Sequence, residues 1–471
     1  MTAGTLVIVI AVLALFLALL AIRLHVGIAL MAAGLAGIVL LRGPEAAVST
    51  VANQPFSTAA DYSLTIIPLF ILMGVFAVRA RLAQAGFDLA SRVLRRLPGG
   101  TALASLSGSG LFAAVTGSSV ATVATMARVS TDAITRAGHG IRLAAGVVCA
   151  GGTLGVLIPP SIVLVLYGVV TEESIGHLLL AGIGPGLLTV LLYAATIVLT
   201  VLVRRRRKTR AGAQDAQGAP DARGAEETPE AQEQAPAAGA GDRAGGDAPH
   251  PRPDITGFLF LVVIFLVSVG TIYLGLATAT EAASFGALSA LVILLIRTRP
   301  PRWLRAVGDS VGEAVGLTAM TFLLMVGAGV FTYFLALSGA STALVDAVIG
   351  ADLAPYAVLV LCLLLLLPLG MFLDGISMIL VAAPLLHPIL VGYGFDGIWL
   401  GVLIVKVAEM ALITPPVGMN AFVYSGAVPE AGLGRIFRGI LPFIAADAVV
   451  VAALIAFPGI VTLIPSLSSA R

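Results

Sequence analysis

The chain has 471 residues, 59% of them hydrophobic and only 11% charged, with a mean hydropathy of +1.05. A water-soluble chain carries about 25% charged residues, so a soluble enzyme or nucleic-acid-binding protein of this length is excluded and hydrocarbon is the expected solvent. The net charge of +2 decides little, because the charges are clustered. Segments that cross hydrocarbon must satisfy their backbone polar groups internally. The strand alternation of a membrane barrel is absent, so an all-α membrane protein is expected. The 53 glycines and 25 prolines suit membrane helices that pack closely and break.

In chain order, the first apolar run, 6–22, has no basic residue before it and no small-residue cleavage site after it. It reads as a retained span, not a signal peptide. Residues 84–97 set Phe87, Leu89, Val93 and Leu94 against Arg92, Arg95 and Arg96, the pattern of an interfacial helix. Arg79, Arg81, Arg92, Arg95 and Arg96 precede residues 98–127, and Arg128, Arg136 and Arg142 follow them. The positive-inside rule puts both flanks in the cytoplasm. An excursion across the bilayer and back needs about 40 residues, so 98–127 is expected to be a re-entrant hairpin with its tip near Gly117-Ser118-Ser119. The apolar run 143–170 is interrupted by Gly151-Gly152-Thr153-Leu154-Gly155 and by Pro159-Pro160, which predicts a broken helix. Residues 204–254 are rich in Ala, Gly, Pro, Glu, Gln and Arg and open with four arginines and Lys208. They read as a disordered cytoplasmic linker between two halves, 1–203 and 255–471. Glu281, three residues after Thr278, is placed for a capping box, with a role in transport as the alternative. A second hairpin, 355–388, is flanked by Asp346, Asp352 and Asp396 and by no Lys or Arg, so it enters from outside with its tip near Asp374-Gly375. A second broken helix is expected at 397–424, around Thr414-Pro415-Pro416. The count is about ten transmembrane helices plus two re-entrant hairpins, with both termini outside the cytoplasm.

The halves repeat. Tyr167 and Tyr424, Glu173 and Glu430, Gly182 and Gly439, and Pro185 and Pro442 are each 257 residues apart, and the Pro159 and Pro415 pairs are 256 apart. Opposite charge bias on matched hairpins is the signature of an inverted repeat, as in ion-coupled transporters.

No enzyme constellation is present. There is no P-loop, no G-x-S-x-G elbow, and none of the five histidines pairs with another at metal-ligand spacing. Cys149 and Cys362 lie in apolar runs and suggest no disulfide. The chain is therefore expected to be a secondary transporter and not an enzyme, without a cofactor. Helix breaks at membrane depth free carbonyls that need a partner. Hydroxyls, carbonyls and an occasional carboxylate are the donors a hard cation uses. Two pseudo-symmetric sodium sites are expected, each a hairpin tip against its own broken helix: Gly117, Ser118 and Ser119 with Gly152 and Pro159, and Asp374 and Gly375 with Thr414 and Pro415. Thr116, Ser161, Met419 and Asn420 are candidate substrate contacts. Lys406 and Glu409, one turn apart on a span, are read as able to neutralise each other, with a role in coupling as the alternative; Asp447 is unassigned.

The stretches Pro68–Gly74, Leu97-Pro98-Gly99-Gly100, Thr116-Gly117-Ser118-Ser119, Gly152-Thr153-Leu154-Gly155 with Pro159-Pro160-Ser161, Thr280-Glu281-Ala282-Ala283, Met371-Phe372-Leu373-Asp374 and Thr414-Pro415-Pro416-Val417-Gly418-Met419-Asn420 resemble, in order, the large membrane subunit of TRAP transporters. Ala279 stands where that family usually has Pro, and the linker is longer than usual. The resemblance implies a bacterial inner-membrane symporter. A sodium gradient drives organic-acid uptake by an elevator motion, with a small four-helix membrane subunit and an extracytoplasmic solute-binding protein as partners. It places sodium ligands at Gly117, Ser118, Ser119, Asp374, Gly375, Thr414 and Pro415. The alternative is a sodium- or proton-coupled anion symporter of related fold that works without a binding protein.

Overall fold

The computed structural model describes residues 2–217, 254–350, 353–371 and 373–469, and all regular elements among them are helical. The chain opens with α1 (Ala3–Ala21), α2 (Val26–Arg42) and α3 (Pro44–Ala60). α1 is apolar all round yet leaves Leu6, Val7, Ile10 and Leu17 uncovered, a surface at home only in hydrocarbon. α4 (Ile66–Arg79) and α5 (Leu82–Leu94) follow, α5 being the amphipathic stretch read from the sequence. Next come α6 (Gly100–Thr116), α7 (Ser119–Arg136), α8 (Ile141–Leu154), α9 (Ile162–Thr171), α10 (Ile175–Ala181) and α11 (Ile183–Gln217). The second half contains α12 (Ile255–Phe265), α13 (Thr271–Tyr273), α14 (Ala279–Arg297), α15 (Trp303–Ser338), α16 (Ala340–Gly350), α17 (Pro355–Gly370) and α18 (Gly375–Gly392). It closes with α19 (Gly397–Ala411), α20 (Met419–Ala427), α21 (Leu433–Ala456) and α22 (Gly459–Ser469).

These helices form two groups. In one, α2 packs along α15, and α4 along α14 and α15. The α2–α15 approach is close because α2 presents glycines: a methyl group added at Gly27 would lie 2.8 Å from the Leu323 carbonyl oxygen, and one at Gly34 3.0 Å from the Phe331 Cα. Small residues that let backbones approach are the usual means of helix association in lipid. In the other group, α6 and α7 pack on α8, α17 and α18 on α19, and α21 joins α8 and α11. The groups meet where α4 reaches α6 and α9 and where α15 reaches α18. Eight helical stretches among the described residues are long and apolar enough to cross a membrane, Gly375–Gly392 among them.

Several helices in these stretches end elsewhere than the sequence reading has them. α7 runs to Arg136, past the expected end at 127, because Ser130, Thr131 and Ile134 remain on its buried face and Arg128 donates to the Ala427 carbonyl at 3.1 Å instead of sitting in a loop. α18 continues through Pro388 to Gly392. The linker reading is corrected at its start: α11 extends to Gln217, because Arg, Lys, Ala and Gln propagate a helix that is already nucleated. The rest of the expected linker, 218–253, lies outside the described residues. The capping box is present: Thr278 Oγ accepts from the Glu281 N–H at 3.3 Å, and the Glu281 carboxylate accepts from the Thr278 N–H at 2.8 Å.

Candidate functional site: two hairpin tips and a shared carboxylate

α6 ends because Gly117 takes a left-handed φ of +63°, which a residue with a Cβ adopts at a cost. Ser118 then caps α7, its hydroxyl accepting from the Ala121 N–H at 3.3 Å. This tip seats on the interruption between α8 and α9, where Pro159 and Pro160 supply no backbone donor and Ser161 restarts the helix by accepting from the Leu164 N–H at 3.2 Å. The contact is tight. A methyl group at Gly155 would lie 2.0 Å from the Ala113 carbonyl carbon, one at Gly152 would lie 3.0 Å from the Ser119 carbonyl oxygen, and one at Gly117 would lie 3.0 Å from Ile162 Cδ1. Gly155→Ala is therefore expected to push the hairpin off the break. The overpacking cost is about 1–3 kcal/mol, read as a lower thermal midpoint and impaired uptake; a variant with wild-type stability and uptake would show that the contact is not needed.

The second hairpin repeats the arrangement with the glycine exchanged between partners. Gly370 of α17 lies against Ala411 of α19, where an added methyl would approach the Ala411 Cβ to 2.5 Å. In the first half the glycine is on the broken helix and the alanine on the hairpin. Asp374 precedes α18, and its Oδ1 accepts a hydrogen bond from the Ser377 hydroxyl. Between α19 and α20 the Thr414 hydroxyl donates to the Met410 carbonyl at 2.7 Å, and Gly418 turns the chain at φ +61°. Both interruptions contain a cis Pro-Pro peptide, 159–160 and 415–416.

The two tips meet at one buried group. The Ser119 hydroxyl of the first tip donates to Glu409 Oε2. Glu409 Oε1 lies 2.8 Å from the position a Cβ would take on Gly375 of the second tip. Glu409 is 1% exposed and is carried on the last turns of α19. Packing crosses over in the same way: α7 of the first hairpin lies on α20, and α18 of the second lies on α9. Ser119 and Asn420 both face Gly152, and Asn420 is wholly buried, its side-chain N–H donating to the Cys149 carbonyl at 3.4 Å. Its Oδ1 has no partner among the described residues.

The expected pairing of Lys406 with Glu409 does not form. Lys406 Nζ donates instead to Asp447 Oδ1 of α21 at 2.5 Å, with both side chains 0% exposed. The Tyr193 hydroxyl of α11 lies 2.7 Å from each Asp447 oxygen and 3.3 Å from the Thr153 hydroxyl of α8. The sequence places Lys406 and Glu409 on neighbouring turns, but α19 is surrounded, and the two side chains leave it toward different neighbours. Among the described residues no basic side chain lies within 4.0 Å of Glu409. A buried carboxylate without a basic partner requires another cation or a proton.

The structure thus brings Ser119, Gly152, Gly375 and Asn420 to the region of Glu409, which the sequence reading did not place among the cation ligands. Ser118 is spent on a helix cap at the partly exposed edge of the tip, and Ser161 is wholly buried as a cap. Of the candidate substrate contacts, Thr116 and Met419 are half-buried, whereas Ser161 and Asn420 are wholly buried. The donor set is oxygen: carbonyls freed at two breaks, hydroxyls, an unpartnered amide oxygen and a carboxylate. Such oxygen donors suit a hard cation. Among the described residues there is no group of three or more His, Cys, Asp or Glu side chains that would hold a metal ion.

Residues 13–460 match the family described as tripartite ATP-independent periplasmic transporter, DctM component. The C4-dicarboxylate TRAP transporter large permease protein DctM of Pseudomonas aeruginosa is 34% identical over 432 residues, covering 92% of this chain and 91% of that one. The sialic acid TRAP transporter large permease protein SiaM of Vibrio cholerae is 28% identical, with 96% and 97% covered. The ectoine TRAP transporter large permease protein TeaC of Halomonas elongata is 26% identical, with 92% and 93% covered. In fold, the chain is similar to the YdaH transporter of Alcanivorax borkumensis, with a TM-score of 0.60 over 88% of this chain and 90% of that one at 16% identity.

Proposed function

The chain belongs to the large-permease component of the tripartite ATP-independent periplasmic transporters, and on that membership we propose that it carries a small organic acid across the inner membrane, driven by sodium. As a member of that family it is a transport protein and not an enzyme. The observation that carries the coupling is Glu409. One buried carboxyl group lies against the tips of both hairpins, while the neighbouring Lys406 is already paired with Asp447. Cations held by the tip and break oxygens of Ser119, Gly152 and Pro159 on one side, and of Asp374, Gly375, Thr414 and Pro415 on the other, would supply the missing positive charge. They would also hold both tips closed on the interrupted helices. Half-buried Thr116 and Met419, beside those tips, are the substrate contacts we favour. A small membrane subunit and an extracytoplasmic binding protein deliver the solute, and the group of helices bearing the tips moves as a unit against the α2–α4–α14–α15 group. That motion would slide α6, α9 and α18 along α4 and α15, where the two groups meet. The arginine-bearing helix ends and the linker lie in the cytoplasm on this reading.

The test is uptake into vesicles reconstituted with all three components. Accumulation is expected only with an inward sodium gradient. Equal accumulation without sodium overturns the coupling, and equal uptake without the binding protein points to the simpler symporter.

A further inference from the structure

Three candidate spans, Tyr62–Arg79, Ala279–Arg297 and Pro300–Ser338, have ends in one place. Two loops far apart in sequence, 79–81 and 297–302, converge there on a crevice of about 500 Å3 lined by Arg79, Arg81, Arg297, Thr298, Arg299 and Arg302. Not all of this charge is balanced from within. Arg79 reaches Glu313 at 2.9 Å and Asp309 at 3.5 Å, and Arg297 pairs with Asp254, holding that carboxyl below its ordinary pKa. Arg81, Arg299 and Arg302 have no carboxylate within 4.0 Å among the described residues. Positive charge at the end of a span is ordinary. Five guanidinium groups from two loops around one recess are more than orientation requires, and planar guanidinium forks match phosphate oxygens. The surroundings point to the source of the phosphate. Trp303 anchors the adjacent turn, donating to the Leu295 carbonyl at 2.9 Å and the Thr298 carbonyl at 2.8 Å, and beside it Leu304 is 92% exposed and Ile296 64% exposed. An apolar surface running from the crevice along the spans is where acyl chains would lie.

We infer that this crevice binds the phosphate group of an anionic phospholipid, with the acyl chains against Ile296 and Leu304. The site is at the opposite task from the cation centre: it would hold the α4–α14–α15 group at a fixed depth while the other group moves.

The experiment uses the full chain in nanodiscs of phosphatidylcholine with a minor share of phosphatidylglycerol, followed by delipidation and mass spectrometry of the retained lipid. Wild type is expected to retain phosphatidylglycerol preferentially. Arg299→Gln/Arg302→Gln is expected to bind it about thirtyfold more weakly, from the contribution of each arginine near an anionic surface. Arg81→Gln, on the other loop, should act in the same direction. The control is Arg95→Gln/Arg96→Gln, which removes equal charge from the α5–α6 turn outside the crevice. Retention unchanged in the crevice variants overturns the site, as does an equal loss in the control. A thermal shift by inorganic phosphate alone, with none by phosphatidylglycerol, overturns the lipid assignment in favour of a soluble anion.

Discussion

Replacing Glu409 by Gln is expected to leave the fold intact and to weaken the apparent sodium affinity of uptake by about 10–100-fold. Glutamine preserves the shape and can still accept from the Ser119 hydroxyl, so the loss reports charge, not packing. The magnitude follows from the coupling free energies of about 1–3 kcal/mol that link sites within a protein. Because the carboxylate faces Ser119 on one tip and Gly375 on the other, its removal should also flatten the sodium dependence toward a single-site curve. Glu409→Asp keeps the charge and shortens the reach, and should fall between wild type and Gln. The measurement is initial uptake rate against external sodium, with folding checked by elution profile and thermal midpoint. A Gln variant with wild-type sodium dependence would remove Glu409 from the coupling site and leave it as a hydrogen-bonded packing residue.

The second large effect concerns the neighbouring charge. Lys406→Met should lower stability by about 3–5 kcal/mol, because it leaves Asp447 buried without a counter-charge. Lys406→Met/Asp447→Leu should recover most of that loss, since an apolar pair in place of a buried ion pair is often neutral. Lys406→Met/Glu409→Gln should not recover it. The two pairings are thereby separated: rescue by the Asp447 change supports the pair seen here, and rescue by the Glu409 change would restore the pairing along the helix. Tyr193 contributes to the same network, so Tyr193→Phe should destabilise by about 1 kcal/mol, the ordinary net worth of a hydrogen bond. Thermal unfolding of the purified protein, reversible or compared at one scan rate, is the readout.

Much of the candidate site was legible because it is made of residues that break helices. Gly117, the two Pro-Pro pairs and Gly418 act through local backbone geometry, so their positions mark tips and interruptions without any knowledge of neighbours. Helix ends were less legible where a polar face continued past the apolar run, as at Ser130 and Thr131 of α7, or where prolines stayed inside a helix, as in α18. Glu409 was read first as a partner of Lys406, because sequence distance rewards the group one turn away. Its true neighbours, Ser119 and Gly375, come from 290 and 34 residues off.

Composition, the placement of helix breakers and the recurrence at an offset near 257 residues are properties of the chain alone. They determined that this is a helical membrane protein with two tips and two interrupted helices, because hydrocarbon leaves helices as the only open-ended way to satisfy a backbone. Which carboxylate meets both tips, and which one neutralises Lys406, depended on the packing of α19 among α7, α18 and α21. Ion pairing in a low-dielectric interior is settled by through-space distance, and only the folded arrangement supplies that.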